Sequence, residues 1–96
     1  MKILYTVKFS PSENYDFSKS VYQQDLVEHG QYLQMLLESG KIIFAGPFTD
    51  NTGGQAILNV KNEEEALSIV ENDPSVMNNI FSFEIKPWHI RFNSLK

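Results

Sequence analysis

The chain has 96 residues, 42% of them hydrophobic, with 12 acidic against 8 basic side chains, a formal charge of −4 and no cysteine. That composition suits a single domain over residues 1–96 with one modest core and argues against disorder. It excludes disulfide scaffolds, thiolate metal sites and cysteine nucleophiles. With no Lys/Arg cluster in any segment, it also argues against a nucleic-acid-binding face.

In chain order, residues 2–9 alternate. Ile3, Tyr5, Val7 and Phe9 lie on one side and Lys2, Leu4, Thr6 and Lys8 on the other, the pattern of a strand with one apolar face. Lys8 interrupts this stretch before a signal-peptide core forms, and no run approaches the roughly 20 apolar residues of a membrane span, so a cytoplasmic location and no membrane partner are expected. Residues 10–17 read as a loop broken by Pro11 and Asn14. Ser18 is the expected N-cap of a long helix that runs to Ser39 and ends at Gly40. Its apolar stripe comprises Tyr22, Leu26, His29, Leu33, Leu36 and Leu37. Steps of three and four place His29 on the buried face. Gly30 directly follows, inside the helix, at a cost of ~1 kcal/mol relative to Ala.

Residues 41–48 read as a second strand ending at Gly46-Pro47, and residues 55–60 as a third, joined through a turn rich in Asp, Asn and Gly. Asn62 is the expected N-cap of a second helix, with Glu65 completing a capping-box pattern and Asp73-Pro74 ending it. Residues 81–87 alternate as a fourth strand, and the tail from Trp88 is a candidate short extension. The order β-α-β-β-α-β suits a ferredoxin-like α+β sandwich, with both helices on one face of a four-stranded antiparallel sheet. The second and third strands are apolar on both sides: Ile42 and Phe44 against Ile43 and Ala45, and Ala56, Leu58 and Val60 against Ile57. An uncovered apolar sheet face points to a homodimer packed sheet to sheet.

His29 with Tyr32-Leu33 and Leu36, Gly40, Ala45-Gly46-Pro47-Phe48, Gly53-Gly54, Glu64-Glu65-Ala66, Asp73-Pro74 and Phe83 to Trp88 form an ordered set. In that set the chain resembles the YCII-related (YciI-like) family over nearly its whole length. The resemblance implies a dimeric α+β barrel made of two ferredoxin-like subunits meeting at their sheets. It also implies an active site built on His29 and Asp73, and lyase activity of the kind some members show on chlorinated hydroxyquinols. Family members of the bacterial YciI type often carry Arg-Pro three and two residues before the histidine. Here those positions are Leu26 and Val27, which removes a cationic substrate clamp.

On chemical grounds, a carboxylate at one imidazole nitrogen fixes the tautomer and leaves the other nitrogen for substrate. Each residue also has a plainer account. A lone His on an apolar helix face is commonly a core residue satisfied by backbone or water, and Asp before Pro is commonly an N-cap. Tyr5, Tyr32 and Phe44, with the Gly46-Pro47 backbone, are candidates to line an apolar cavity near His29, although core packing is the simpler account of the three side chains. His89 is expected at the surface. Two separated histidines without cysteine make a poor metal signal, so no metal is expected, and Gly53-Gly54 lacks the Lys-Ser/Thr of a phosphate loop. Three functions follow: a cofactor-free lyase or isomerase acting on a small organic molecule, a non-catalytic small-molecule-binding or regulatory dimer, and a module that only packs.

Overall fold

A computed structural model describes residues 2–95. It contains four strands, β1 (Lys2–Pro11), β2 (Ile42–Pro47), β3 (Gly54–Leu58) and β4 (Phe81–Ile90), and three helices, α1 (Val27–Glu38), α2 (Glu63–Glu71) and α3 (Pro74–Met77). The strands form one sheet in the order β2-β3-β1-β4, every pair antiparallel. This is the ferredoxin-like α+β arrangement, with one short extra helix.

The alternation read in β1 decides which side chains meet the helices. Val7 and Phe9 share their face with Ala56 and Leu58 of β3 and Phe81 of β4, and on them pack Leu36 of α1 and Ala66 and Val70 of α2. Val7 and Leu58 are fully buried, a burial that stabilises by about 1.5–3 kcal/mol for each side chain. On the other face Leu4 lies beside Trp88, and Phe44 beside Ile57. Phe44 and Trp88 are 58% and 48% exposed there. The two-sided reading of β2 is changed by a register shift between Ile42 and Phe44. The bulge turns Ile42 toward the helices and leaves Phe44 on the open face.

α1 begins eight residues later than expected, with Leu26 and not Ser18 at the N-cap position. Ser18 does not cap it: its amide and hydroxyl both donate to Asp16 Oδ1, at 3.0 and 2.6 Å, in a local turn. Residues 12–26 form a loop with one 3-10 turn, Val21–Gln23. The Gln24 amide closes it, donating to the Asp16, Lys19 and Ser20 carbonyls, while Gln24 Oε1 accepts from the Asp16 amide. Tyr22, assigned to the buried stripe, is therefore 85% exposed, and Leu37 is exposed as well. The C-terminus of α1 matches expectation. Gly40 adopts φ +78°, and the amides of Lys41 and Gly40 donate to Leu36 and Leu37 carbonyls at 2.9 and 3.1 Å, a Schellman closure. β4 runs on through the tail to Ile90, pairing His89 with Ile3. As an edge strand it tolerates Pro87, which lacks an N–H to donate.

Candidate active site

α1 carries His29 over the ends of β1 and β4, and the α2–α3 junction brings Asp73 to meet it. His29 Nδ1 lies 2.8 Å from both carboxylate oxygens of Asp73. The Asp73 side chain is 2% exposed and that of His29 15%. Asp73 is also the N-cap of α3, with Pro74 at the first helical position. Its Oδ1 accepts from the Ser75 amide and the Ser75 hydroxyl, each at 2.9 Å. Thus the N-cap account of Asp-Pro and the partnership with His29 hold together: the cap fixes the carboxylate, and the carboxylate then holds the imidazole.

Phe9 and Phe81 present their rings edgewise to the imidazole, with centroids 5.7 and 5.9 Å away. With Asp73 ionised, Nδ1 carries the ring proton and donates it. Among the described residues Nε2 has no hydrogen-bond partner, and no buried side-chain nitrogen or oxygen lacks one. Nε2 is therefore the ring nitrogen left to face the space beside it. That space is a cavity of about 390 Å³, large enough for a small ligand. Its walls come from β1 and β4 (Phe9, Phe81), from α1 (His29, Gly30, Leu33), from the loop before α1 (Val21, Tyr22, Gln24) and from the β2–β3 hairpin (Gly46, Pro47, Gly53, Gly54).

The candidate residues separate in this geometry. His29, Gly46 and Pro47 line the cavity, and Asp73 stands directly behind His29. Tyr32 lies next to Asp73, lining a smaller void beneath the main cavity. Its hydroxyl is committed to the Ile69 carbonyl at 2.8 Å, tying α1 to α2. Burial, and then the nearby Asp73 charge, push the Tyr32 phenol above its ordinary value, which keeps it a donor. Tyr5 and Phe44 do not line the cavity. Tyr5 sits on the helix side at the Leu58 position of the ladder, and Phe44 points to the opposite face of the sheet. Ser75, two residues after Asp73, was missed, and the signal for it is the amide that an Asp N-cap satisfies. Phe9 and Phe81 carried no signal beyond that of core strands, and the loop wall was hidden by the reading of residues 18–26 as helix.

A ferredoxin-like sheet with a carboxylate-anchored histidine in an apolar cavity defines the class: the subunit fold of the dimeric α+β barrels. The chain belongs to the YCII-related family, since the family model for the YCII-related domain matches residues 1–89. It is similar to the uncharacterized protein YjpA of Bacillus subtilis (strain 168), 30% identical over 69 residues, covering 72% of this chain and 81% of that protein. Among solved structures it is similar to the 5-chloro-2-hydroxyhydroquinone dehydrochlorinase TftG of Burkholderia phenoliruptrix AC1100, in complex with 2,5-dihydroxybenzoquinone. That match has a TM-score of 0.68 and 25% identity, and covers 90% of this chain and 93% of that one.

Proposed function

We propose that this protein is a cofactor-free acid–base enzyme, acting by elimination or isomerisation on a small organic molecule. The observation that carries the reading is a histidine held through Nδ1 by a buried carboxylate, with Nε2 left to a cavity. Asp73 fixes the tautomer and compensates the positive charge that develops on the ring when Nε2 takes a proton. In an elimination, Nε2 removes an acidic O–H or C–H proton, the electron pair forms the new π bond, and the leaving group departs. In an isomerisation, the same nitrogen returns the proton at another atom. His29 is the catalytic residue of this proposal and Asp73 its positioning residue, while Gly46 and Pro47 contribute backbone to the substrate site.

The dehydrochlorinase named among the similar structures supports elimination from an oxygenated ring. The exposed Phe44 and Trp88 on the open sheet face support a homodimer formed through that face. No helix among the described residues is long and apolar enough to cross a membrane, and a cytoplasmic location is part of the proposal.

The test is chloride release from chlorinated hydroquinones by the wild type and by His29→Ala, with ligand binding measured separately. Loss of turnover with binding retained is the expected result. Turnover unchanged in His29→Ala would sink the acid–base reading, whereas binding without turnover in the wild type would leave a ligand-binding protein.

A further inference from the structure

Two of the glycines around the cavity have structural reasons to be glycine. Gly53 has φ +110°, and a Cβ there would collide with the Phe9 carbonyl; a Cβ on Gly54 would approach the Gly46 carbonyl oxygen to 2.7 Å. Gly46 of β2 and Gly30 have neither reason, and of these two Gly30 is the one inside a helix and next to His29. It lies in the interior of α1, its φ is not positive, and a Cβ built on it meets nothing within 4 Å. A helix-interior glycine weakens a helix relative to alanine. At position 30 neither backbone conformation nor packing offsets that penalty. What Gly30 does have is a place on the cavity wall, next in sequence to His29.

The remaining lining limits what rests against that wall. Among the described residues no Lys, Arg, Asp or Glu contributes to it, so a bound carboxylate or phosphate meets no opposing charge there other than the imidazole, itself matched by Asp73. An anion desolvated among Phe9, Leu33 and Phe81 without a partner is strongly disfavoured. The Gln24 amide is already spent on closing its own loop, and Gln55, also on the wall, offers hydrogen bonds but no charge.

We propose that Gly30 is a specificity-determining residue: its missing side chain leaves a flat wall on which an uncharged planar ring lies, with a ring oxygen reaching Nε2 of His29. This rests on reading the cavity as the small-molecule site and does not depend on whether the bound molecule is turned over.

The test titrates resorcinol, an uncharged dihydroxybenzene, and in parallel benzoate, into the wild type, Gly30→Ala, Gly30→Leu and Gln31→Ala, followed by NMR and thermal melting. In the wild type, resorcinol shifts the resonances of His29, Gly30 and Leu33 and binds at least tenfold more tightly than benzoate. Gly30→Ala melts at a higher temperature than the wild type yet binds resorcinol about tenfold more weakly, the scale set by one extra methyl-sized group in a pocket. Gly30→Leu no longer binds it. Gln31→Ala, altered at an exposed helix position away from the cavity, binds as the wild type does.

Undiminished binding in both Gly30 variants overturns the proposal, as does equal affinity for benzoate or the absence of resorcinol shifts at these residues in the wild type. A Gly30→Ala protein that melts lower would overturn it too, because the glycine would then answer to the fold. His29→Ala should bind resorcinol more weakly, having lost the Nε2 contact, but still detectably on the Gly30 wall, so failure of the catalytic reading and failure of this one give different results.

Discussion

Asp73 serves two partners with one carboxylate, and this determines how its variants should behave. Oδ1 satisfies the Ser75 amide and hydroxyl while both oxygens face His29 Nδ1. Asp73→Ala leaves buried donors without an acceptor, and urea denaturation should register a loss of about 1–3 kcal/mol. Asp73→Asn keeps an oxygen for Ser75 but turns an N–H toward Nδ1, which moves the ring proton to Nε2 and removes the base. The expected outcome is a change of His29 tautomer in nitrogen-15 NMR, with activity lower by roughly 10²–10⁴-fold, the usual worth of acid–base catalysis. Identical ring spectra in wild type and Asp73→Asn would show that the carboxylate does not set the tautomer. At this scale the sequence carried the residue types and their local roles. The stripe around His29 and the Asp-Pro cap signal were both visible. The 44-residue separation of the pair hid their meeting, because helix periodicity relates only residues a few positions apart.

Among the elements, the N-cap of α2 was legible, although Glu65 accepts from the Lys61 amide and not from the Asn62 amide that a capping box would use. Asn62 accepts from the Glu65 amide at 2.9 Å, as its spacing implied. The Glu65 carboxylate reaches further, to Lys41 Nζ at 2.6 Å and the Lys61 amide at 3.0 Å, fastening the start of α2 beside the start of β2. The Lys41 hydrogen bond, then that from Lys61, hold the Glu65 carboxyl below its ordinary value of 4.5. A depressed folded-state value means that this contribution to stability is present above about pH 4.5 and fades as the pH falls through the lowered value. Glu65→Gln should therefore be less stable than the wild type near neutrality, with the difference shrinking as the solution is acidified below pH 4.5. Chemical denaturation as a function of pH checks it, and a difference independent of pH would contradict the account. The start of α1 was not legible. Ser18 has the right chemistry for a cap, but Asp16 takes its amide and hydroxyl, and a polar loop sealed by Gln24 replaces two turns of helix. That competition between a local turn and a cap is decided by which arrangement packs, and in the loop Val21 and Leu26 pack against the core.

For the whole molecule, the proposed assembly rests on the face away from the helices. Leu4 and Ile57 are nearly covered by their neighbours, while Phe44 and Trp88 stand out beside them. In the proposed homodimer these two rings are the apolar centre of the contact. Phe44→Glu places a charge there without touching the helix-side core, so sedimentation at micromolar concentration should show a monomer while circular dichroism stays unchanged. A dimer that persists in Phe44→Glu, or a wild type that sediments as a monomer, would remove this face from the assembly.

The amino-acid sequence by itself determined the order of the four strands and the two longer helices, the helix-facing side of β1 and the Gly40 and Asn62 caps, and it supplied the residue types of the His29–Asp73 pair, while the short α3 after Asp73 went unread. Each of these depends on periods of two and four residues or on a single side chain meeting its own backbone. The tertiary structure alone decided that His29 and Asp73 touch, that the β2 bulge sends Ile42 and Phe44 to opposite faces, and that a loop closes the cavity where a helix was expected. Those outcomes depend on contacts between segments distant in the chain, where the free energy of burying one surface against another outweighs local preference.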